Sequence, residues 1–264
     1  MLCAAGNVIF HYWMKHGKVY IYGKHALTEA LVNVPHAVKK VYLSPKVDDQ
    51  KLRDLIRRAG VPMAALEPKM ERTVEGHGTH QGVIAHVSTD DLVMPLKDFL
   101  KGLTITDDTA LVLMGEVQDP HNVGAIIRSA AAFGVSGVLM PEHNQAPVTG
   151  AVVKVSAGMA FRIPLVQIGN INQAVRDLKD AGFSVYGLAG EAGAQNMTEM
   201  QFDTPSVFIV GNEGSGIRQK TREYCDALVA IPMHPKCESL NAAVSASVAL
   251  YAWSSKHPKA LKGK

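Results

Sequence analysis

LVLMGEVQDPHNVGAIIRSAAAFGV, residues 111–135, decides how the rest of the chain is read. Residues 111–114 form an uninterrupted apolar run, the pattern of a strand buried on both faces. Residues 116–122 form a polar turn, and a helix of small apolar residues runs from there to Gly134. Arg128 is the one charge inside that helix. On an Ala/Ile/Gly surface a guanidinium is costly unless an anion meets it. Two readings stay open on this stretch alone. One is a buried ion pair, for instance with Glu116. The other is a functional arginine aimed at a phosphate or a carboxylate, which its planar fork suits.

From residue 111 onward the chain alternates. Strands are predicted at 111–114, 137–140, 184–188, 207–210 and 228–231, and helices at 123–133, 150–157, 171–181, 217–224 and from about 240 to 254. Such alternation with continuously apolar strands means an α/β domain, its parallel sheet covered by helices on both faces. Ligands of these sheets bind beyond the C-terminal strand ends. The loops there are 115–122, 189–193, 211–216 and 232–239.

Upstream, strands are predicted at 19–22, 38–43, 62–66 and 82–87, with helices at 24–31, 50–59 and 69–74. The 50–59 helix is amphipathic, with Leu52, Leu55 and Ile56 at i, i+3, i+4 and Arg53, Arg57 and Arg58 outward. Residues 18–88 thus form a small α/β domain. Residues 89–108 are acidic and read as a linker with a short helix near 96–100. The second domain runs from 109 to 256, followed by a basic tail, 257–264, expected to be disordered. Residues 1–17 lack the positive start of a secretory signal and the arginines of a transit peptide, and are expected to form a disordered extension.

The 264 residues are 47% hydrophobic and 19% charged, a globular composition. A net charge of +3 does not diagnose nucleic-acid binding. Its distribution says more: residues 1–88 carry 12 Lys+Arg against 7 Asp+Glu, net +5, and residues 89–264 carry 15 against 17, net −2. Cys3, Cys225 and Cys237 have no CxxC spacing, which points to a reducing compartment and predicts a cytoplasmic protein. No apolar run approaches the ~20 residues of a membrane helix. His77 and His80 have HxxH spacing, but no third ligand follows at a sensible distance. A polar loop is the reading, and no metal is expected.

Two further segments carry chemistry. GNEGSGI, residues 211–217, ends an apolar run but fits neither GxGxxG nor GxxxxGK[ST]. Its glycines allow close backbone approach to a ligand, and Glu213 is an acceptor for an arginine or a ribose hydroxyl. In IPMHPKCESLNAAVSASVAL, residues 231–250, Ser239 reads as the N-cap of a helix with Asn241 in its first turn. Ala242, Ala243, Val244, Ala246, Ser247 and Val248 form a small-residue face, for interior packing or for a homodimer seam. Cys237 reads as buried packing or as a reactive thiol.

NxGAIIRS (122–129), GNEGSGI (211–217) and IPM…SLNAAVSAS (231–247) together resemble, in order and spacing, the three signature motifs of the SpoU (TrmH-like) family of RNA ribose 2′-O-methyltransferases. IYGKHALTEAL (21–31), VKKVYLSP (38–45) and THQGVIAHVS (79–88) resemble that family's ribosomal-protein-like substrate-binding domain. The resemblance covers about residues 18–255. It implies a SPOUT fold whose C-terminal part is threaded into a trefoil knot, a feature that default topology rules do not anticipate. It implies S-adenosyl-methionine (AdoMet) as methyl donor, a homodimer with the site near the subunit seam, and no metal. Gly211, Ile231 and Leu240 match the family's cofactor-binding positions. Asn122, Arg128, Glu213, Ser239 and Asn241 match its polar active-site set. Two domains together point to the branch that methylates a guanosine of 23S ribosomal RNA. The same chemistry on tRNA, and an RNA-binding assembly factor without catalysis, are the alternatives. The family mechanism uses the arginine as base; a guanidinium stays protonated, so phosphate clamp ranks first for Arg128 and proton acceptor second, with Glu213 or water taking the proton instead. Lys236-Cys237-Glu238 depart from the family's usual small or hydroxyl residues before Ser239, and Ala242-Ala243 from its usual bulkier or hydroxyl pair after Asn241.

Overall fold

The structure, a computed structural model, describes residues 18–67, 81–191 and 193–262. The expected extension 1–17, the short helix at 69–74, His77, His80 and Cys3 lie outside these residues. Contacts group the chain into two compact units, Met1–Val93 with Val148–Arg162, and Met94–Pro147 with Ile163–Lys264.

The first unit contains β1 (Lys18–Tyr22), α1 (Lys24–Asn33), β2 (Val38–Leu43), α2 (Gln50–Arg58), β3 (Met63–Ala65) and β4 (Val83–Ser88). The sheet order is β1-β4-β2-β3. β4 runs antiparallel to β1 and β2, and β3 runs parallel to β2. Asp49 caps α2 by accepting from Leu52 N at 3.0 Å. Leu52 and Ile56 then point inward, as the i, i+4 spacing requires. Gly82 adopts φ +74°, and a Cβ there would stand 2.8 Å from Val47 Cγ2. The loop between 43 and 50 therefore closes on β4 only over a glycine. Glu29, buried on α1, accepts from Arg162 Nη2 at 2.9 Å, which ties the Val148–Arg162 segment to this unit.

The second unit is an eight-stranded sheet, completed by residues absent from the expected strand list. Its strands are β5 (Val93–Pro95), β6 (Ala110–Met114), β7 (Gly137–Pro141), β8 (Leu165–Ile168), β9 (Ser184–Leu188), β10 (Gln195–Asn196), β11 (Ser206–Val210) and β12 (Ala227–Ala230). The order is β10-β12-β9-β11-β6-β7-β8-β5. Every residue of β6, β7 and β11 is buried. β6 sits between β11 and β7 in parallel register, Val112 opposite Phe208 and Val138. Leu111, Leu113, Val207 and Ile209 share one core with Val175 and Leu178, while the alternate residues Val112, Met114 and Phe208 are equally buried. Period-two burial on both sides is what a doubly covered parallel sheet demands.

The helices of this unit are α3 (Leu96–Gly102), α4 (Pro120–Ala132), α6 (Ile171–Asp180), α7 (Gln219–Arg222) and α8 (Ala242–Lys256), with α5 (Gly150–Val155) belonging to the first unit. Several boundaries differ from expectation. Residues 89–108 are not a plain linker. β5 joins the sheet edge beside β8, and Phe99 of α3 packs where a Cβ on Gly137 would be, 2.7 Å from Phe99 Cζ. α4 begins at Pro120 with Asp119 as N-cap, so Asn122 lies in its first turn and not in a polar loop. Proline suits that start because its missing N–H costs nothing there. In the C-terminal tail His257 is buried, with one ring nitrogen 3.1 Å from Asp108 Oδ1 and the other 3.1 Å from Phe202 O. This histidine seals the end of α8.

Candidate active site

β6 and β11 lie side by side at the centre of the sheet while the chain leaves them in opposite directions, β6 toward β7 and β11 beyond β9. That is the switch point at which α/β sheets open a crevice. Gly115 N donates to Val210 O at 2.7 Å, so the pair holds to its last residues. The 211–217 loop then closes tightly, with Asn212 and Gly216 exchanging backbone hydrogen bonds of 3.0 and 2.9 Å. A Cβ on Gly211 would stand 2.4 Å from the carbonyl carbon of Gly216. Only glycine fits there.

Glu213, inside this loop, reaches the first turn of α4. Its carboxylate accepts from Gln118 N and Asp119 N at 3.1 Å each, and from Asn122 Nδ2 at 3.0 Å. A helix N-terminus favours a carboxylate through its exposed N–H groups and dipole. Burial pushes the Glu213 pKa up, but the hydrogen bonds from Asn122 and from the backbone outweigh it and hold the group below its ordinary 4.5. Asn122 is buried, and its Oδ1 accepts from Asn241 Nδ2 at 2.8 Å. Asn241 Oδ1 accepts in turn from Ala243 N and Val244 N at 2.9 and 3.3 Å. Asn241, not Ser239, is therefore the N-cap of α8. Both residue types cap well, and the choice falls to the one whose amide also reaches Asn122. Ser239 lies two residues earlier in an exposed loop and makes no hydrogen bond among the described residues.

Arg128 stands apart from this cluster. It is exposed, and among the described residues it has no ion pair or hydrogen bond. The buried ion pair with Glu116 does not form, because Glu116 takes Arg218 instead. The surface around Arg128 is not the buried one that composition suggested: His121, Arg128 and Ala132 are all exposed along one strip of α4. The other side of α4 packs on α8, where Ser129 Oγ and Ser247 Oγ lie 2.7 Å apart.

Beyond the strand ends is a cavity of about 520 Å³. Gly211, Ile231 and Leu240 line it, as do Glu213, Ser239 and Asn241. Asn122 reaches it through its two partners. Gly190, Glu191, Val229 and Met233 also line it, Val229 from within β12 and the other three from strand-end loops. Cys237 is a free, exposed thiol, not buried packing. The small-residue face of α8 divides: Ala243 and Ala246 are buried, whereas Leu240 before the helix and Val244, Val248 and Tyr251 on it form an exposed apolar stripe. Among the described residues no helix is long and apolar enough to cross a membrane.

Three loops gathered around one cavity beyond the strand ends of a parallel α/β sheet define a class, and comparison gives it a name: the chain belongs to the SpoU rRNA Methylase family, whose profile matches residues 109–251. A second profile, RNA 2′-O ribose methyltransferase substrate binding, matches residues 20–92. Similar proteins include the 23S rRNA (guanosine-2′-O-)-methyltransferase RlmB of Nitrosomonas europaea, 36% identical and aligned over 90% of this chain and 91% of the relative. RlmB of Pseudomonas putida is 39% identical over 88% of this chain and 94% of its own. Among solved structures, the SpoU methyltransferase AviRb from Streptomyces viridochromogenes, in complex with the cofactor AdoMet, superposes with a TM-score of 0.80 at 27% identity, covering 94% of this chain and 93% of that one. An AdoMet-bound rRNA methyltransferase from Sinorhizobium meliloti, at 22% identity, TM-score 0.78 and coverage of 92% of this chain and 89% of its own, shares the fold.

Proposed function

We propose that the protein transfers a methyl group from AdoMet to the ribose 2′-oxygen of a guanosine in 23S ribosomal RNA. The observation that carries this is its 36% identity, over 90% of the chain with both units included, to a 23S rRNA (guanosine-2′-O-)-methyltransferase.

The cavity suits AdoMet. Val210, Val229, Ile231 and Leu240 offer an apolar wall for an adenine ring. The glycines at 190, 211, 214 and 216 bring backbone groups close to it. When bound there, AdoMet supplies a methyl group already activated by its sulfonium. What the chain must do is align the 2′-hydroxyl in line with that methyl and let its proton leave. Arg128, exposed and without a partner among the described residues, clamps the phosphate beside the target ribose. Asn122, Ser239 and Asn241 orient the hydroxyl and the groups around it. Glu213 is ionised, and its oxygens are occupied by three donors. Its role is to fix Asn122, and water takes the 2′-proton.

Three finer features belong to the same reading. A second copy of the chain covers the exposed stripe of Leu240, Val244, Val248 and Tyr251, since a contiguous apolar patch marks an interface. The trefoil knot is supported by the path after β11: the chain runs out to β12 beyond β9 and returns in α8 to pack on α4 and β11. A cytoplasmic location is supported by the free thiols of Cys225 and Cys237.

Tritiated AdoMet incubated with the protein and either purified 23S rRNA or bulk tRNA tests the proposal. Label in 23S rRNA supports it, and label in tRNA alone moves the activity to tRNA. No label in either, with no AdoMet binding by calorimetry, makes the protein a non-catalytic RNA binder.

A further inference from the structure

Glu116 follows Gly115 at the end of β6 and has φ +67°, in the left-handed region that a residue with a Cβ enters at a cost. This backbone turn and the side chain above it do related work. The carbonyl oxygen accepts from Asn212 Nδ2 at 2.9 Å. The carboxylate accepts from Arg218 Nε at 2.8 Å, lies 2.7 Å from Arg218 Nη2, and accepts from Asn144 Nδ2 at 3.4 Å. Asn212 is the second residue of the 211–217 loop and Arg218 directly follows its last. One residue of the neighbouring strand end therefore grips that loop at both ends, by its main chain at 212 and by a two-pronged ion pair at 218. The Glu116 side chain is 16% exposed, so the carboxylate end of the pair is shielded while the guanidinium end faces solvent. Neither Glu116 nor Arg218 lines the cavity, but Gly211, Asn212, Glu213, Gly214, Gly216 and Ile217 all do.

We infer that Glu116 is a positioning residue for cofactor binding. Paired with Arg218, it holds the 211–217 wall of the cavity in the shape that accepts AdoMet, without contacting the cofactor. The inference rests on the methyltransferase reading above. Preorganisation of this kind shows in affinity: a wall correctly shaped one time in ten raises the apparent Kd about 10-fold.

The test is calorimetric titration of AdoMet into the full-length wild type, Glu116→Gly, Arg218→Ala and the double variant, with thermal melts and methyl-transfer kinetics on each. Glycine tolerates φ +67° and keeps the carbonyl contact to Asn212, but it removes the whole side chain, the Asn144 contact included, and frees the backbone, so Arg218→Ala is the deciding variant. The Arg218 side chain is 63% exposed, so its loss leaves the fold intact and serves as the second reading should Glu116→Gly fail to fold. Each single variant is expected to weaken AdoMet binding about 10-fold, and the double variant no further, because both lose one shared interaction. KM for AdoMet rises by the same factor while kcat stays within about twofold, the mark of lost uniform binding. Wild-type affinity in Arg218→Ala overturns the inference, as does a lowered melting temperature with unchanged Kd. A wild-type protein that binds no AdoMet overturns the methyltransferase reading itself.

Discussion

Asn241 Nδ2 donates to Asn122 Oδ1 at 2.8 Å, joining the N-cap of α8 to the first turn of α4. The same asparagine caps α8 through its oxygen, so the two ends of one amide do separable work. Asn241→Ser keeps a good cap and removes the donor to Asn122. The expected melting temperature falls by a few degrees, because the cap is kept but Oδ1 of the buried Asn122 loses its donor, at a cost of about 1–3 kcal/mol. Methyl transfer falls roughly 100-fold, the scale on which a misplaced orienting group acts. A variant with full turnover would remove Asn241 from the positioning set.

Glu213 gives a pH signature. Folding lowers its pKa, so the ionised carboxylate contributes stability that is fully present above its ordinary 4.5 and is lost as the pH falls through the lowered value. Melting temperatures of wild type and Glu213→Gln are expected to differ by a constant gap from pH 8 to about 5, with the gap closing at lower pH. A gap that narrows between pH 6 and 8 would mean that the group titrates near neutrality, as a general base would.

How far the site could be read from residues alone follows from what each signal measures. Long apolar runs announced β6, β7 and β11 because burial on both faces leaves no polar position. β8 escaped because it is four residues long with an exposed Gln167 among them, and β5 because a three-residue edge strand ending in proline looks like a linker. The cavity-lining glycines were legible since their spacing ends a strand. Ala and Ile on both sides of Arg128 suggest a buried guanidinium, whereas the period of α4 places it with His121 and Ala132 on the exposed strip. The Glu116–Arg218 pair spans 102 residues, and no local pattern reports such a contact.

The stripe on α8 predicts the assembly. The wild type is expected at twice the 28.4 kDa chain mass by light scattering coupled to gel filtration. Val248→Glu, a charge placed on the 36% exposed centre of the stripe, is expected to shift it to the single-chain mass. A wild type that elutes as one chain would contradict the seam.

The two described thiols should differ in reactivity. Burial, then the Asp226 carboxylate, pushes the Cys225 thiol up to about 11 against the opposing pull of Lys179 and Arg222. At pH 8 only ~0.1% of such a thiol is ionised. In a Cys3→Ser variant a thiol-specific disulfide reagent is expected to label Cys237, which is exposed, within minutes, and Cys225 only after unfolding. Rapid labelling at both positions in the native protein would contradict the packing of Cys225.

The central claim is tested most directly by mapping the modified nucleotide. Purified 23S rRNA, treated with AdoMet and either wild type or Arg128→Ala, is digested and analysed by mass spectrometry. The account predicts one 2′-O-methylguanosine with the wild type. It predicts at least a 100-fold loss with Arg128→Ala, as expected when the reacting groups are no longer held in line, while AdoMet affinity stays near wild type. A methyl group on a base, or wild-type modification by Arg128→Ala, would contradict it.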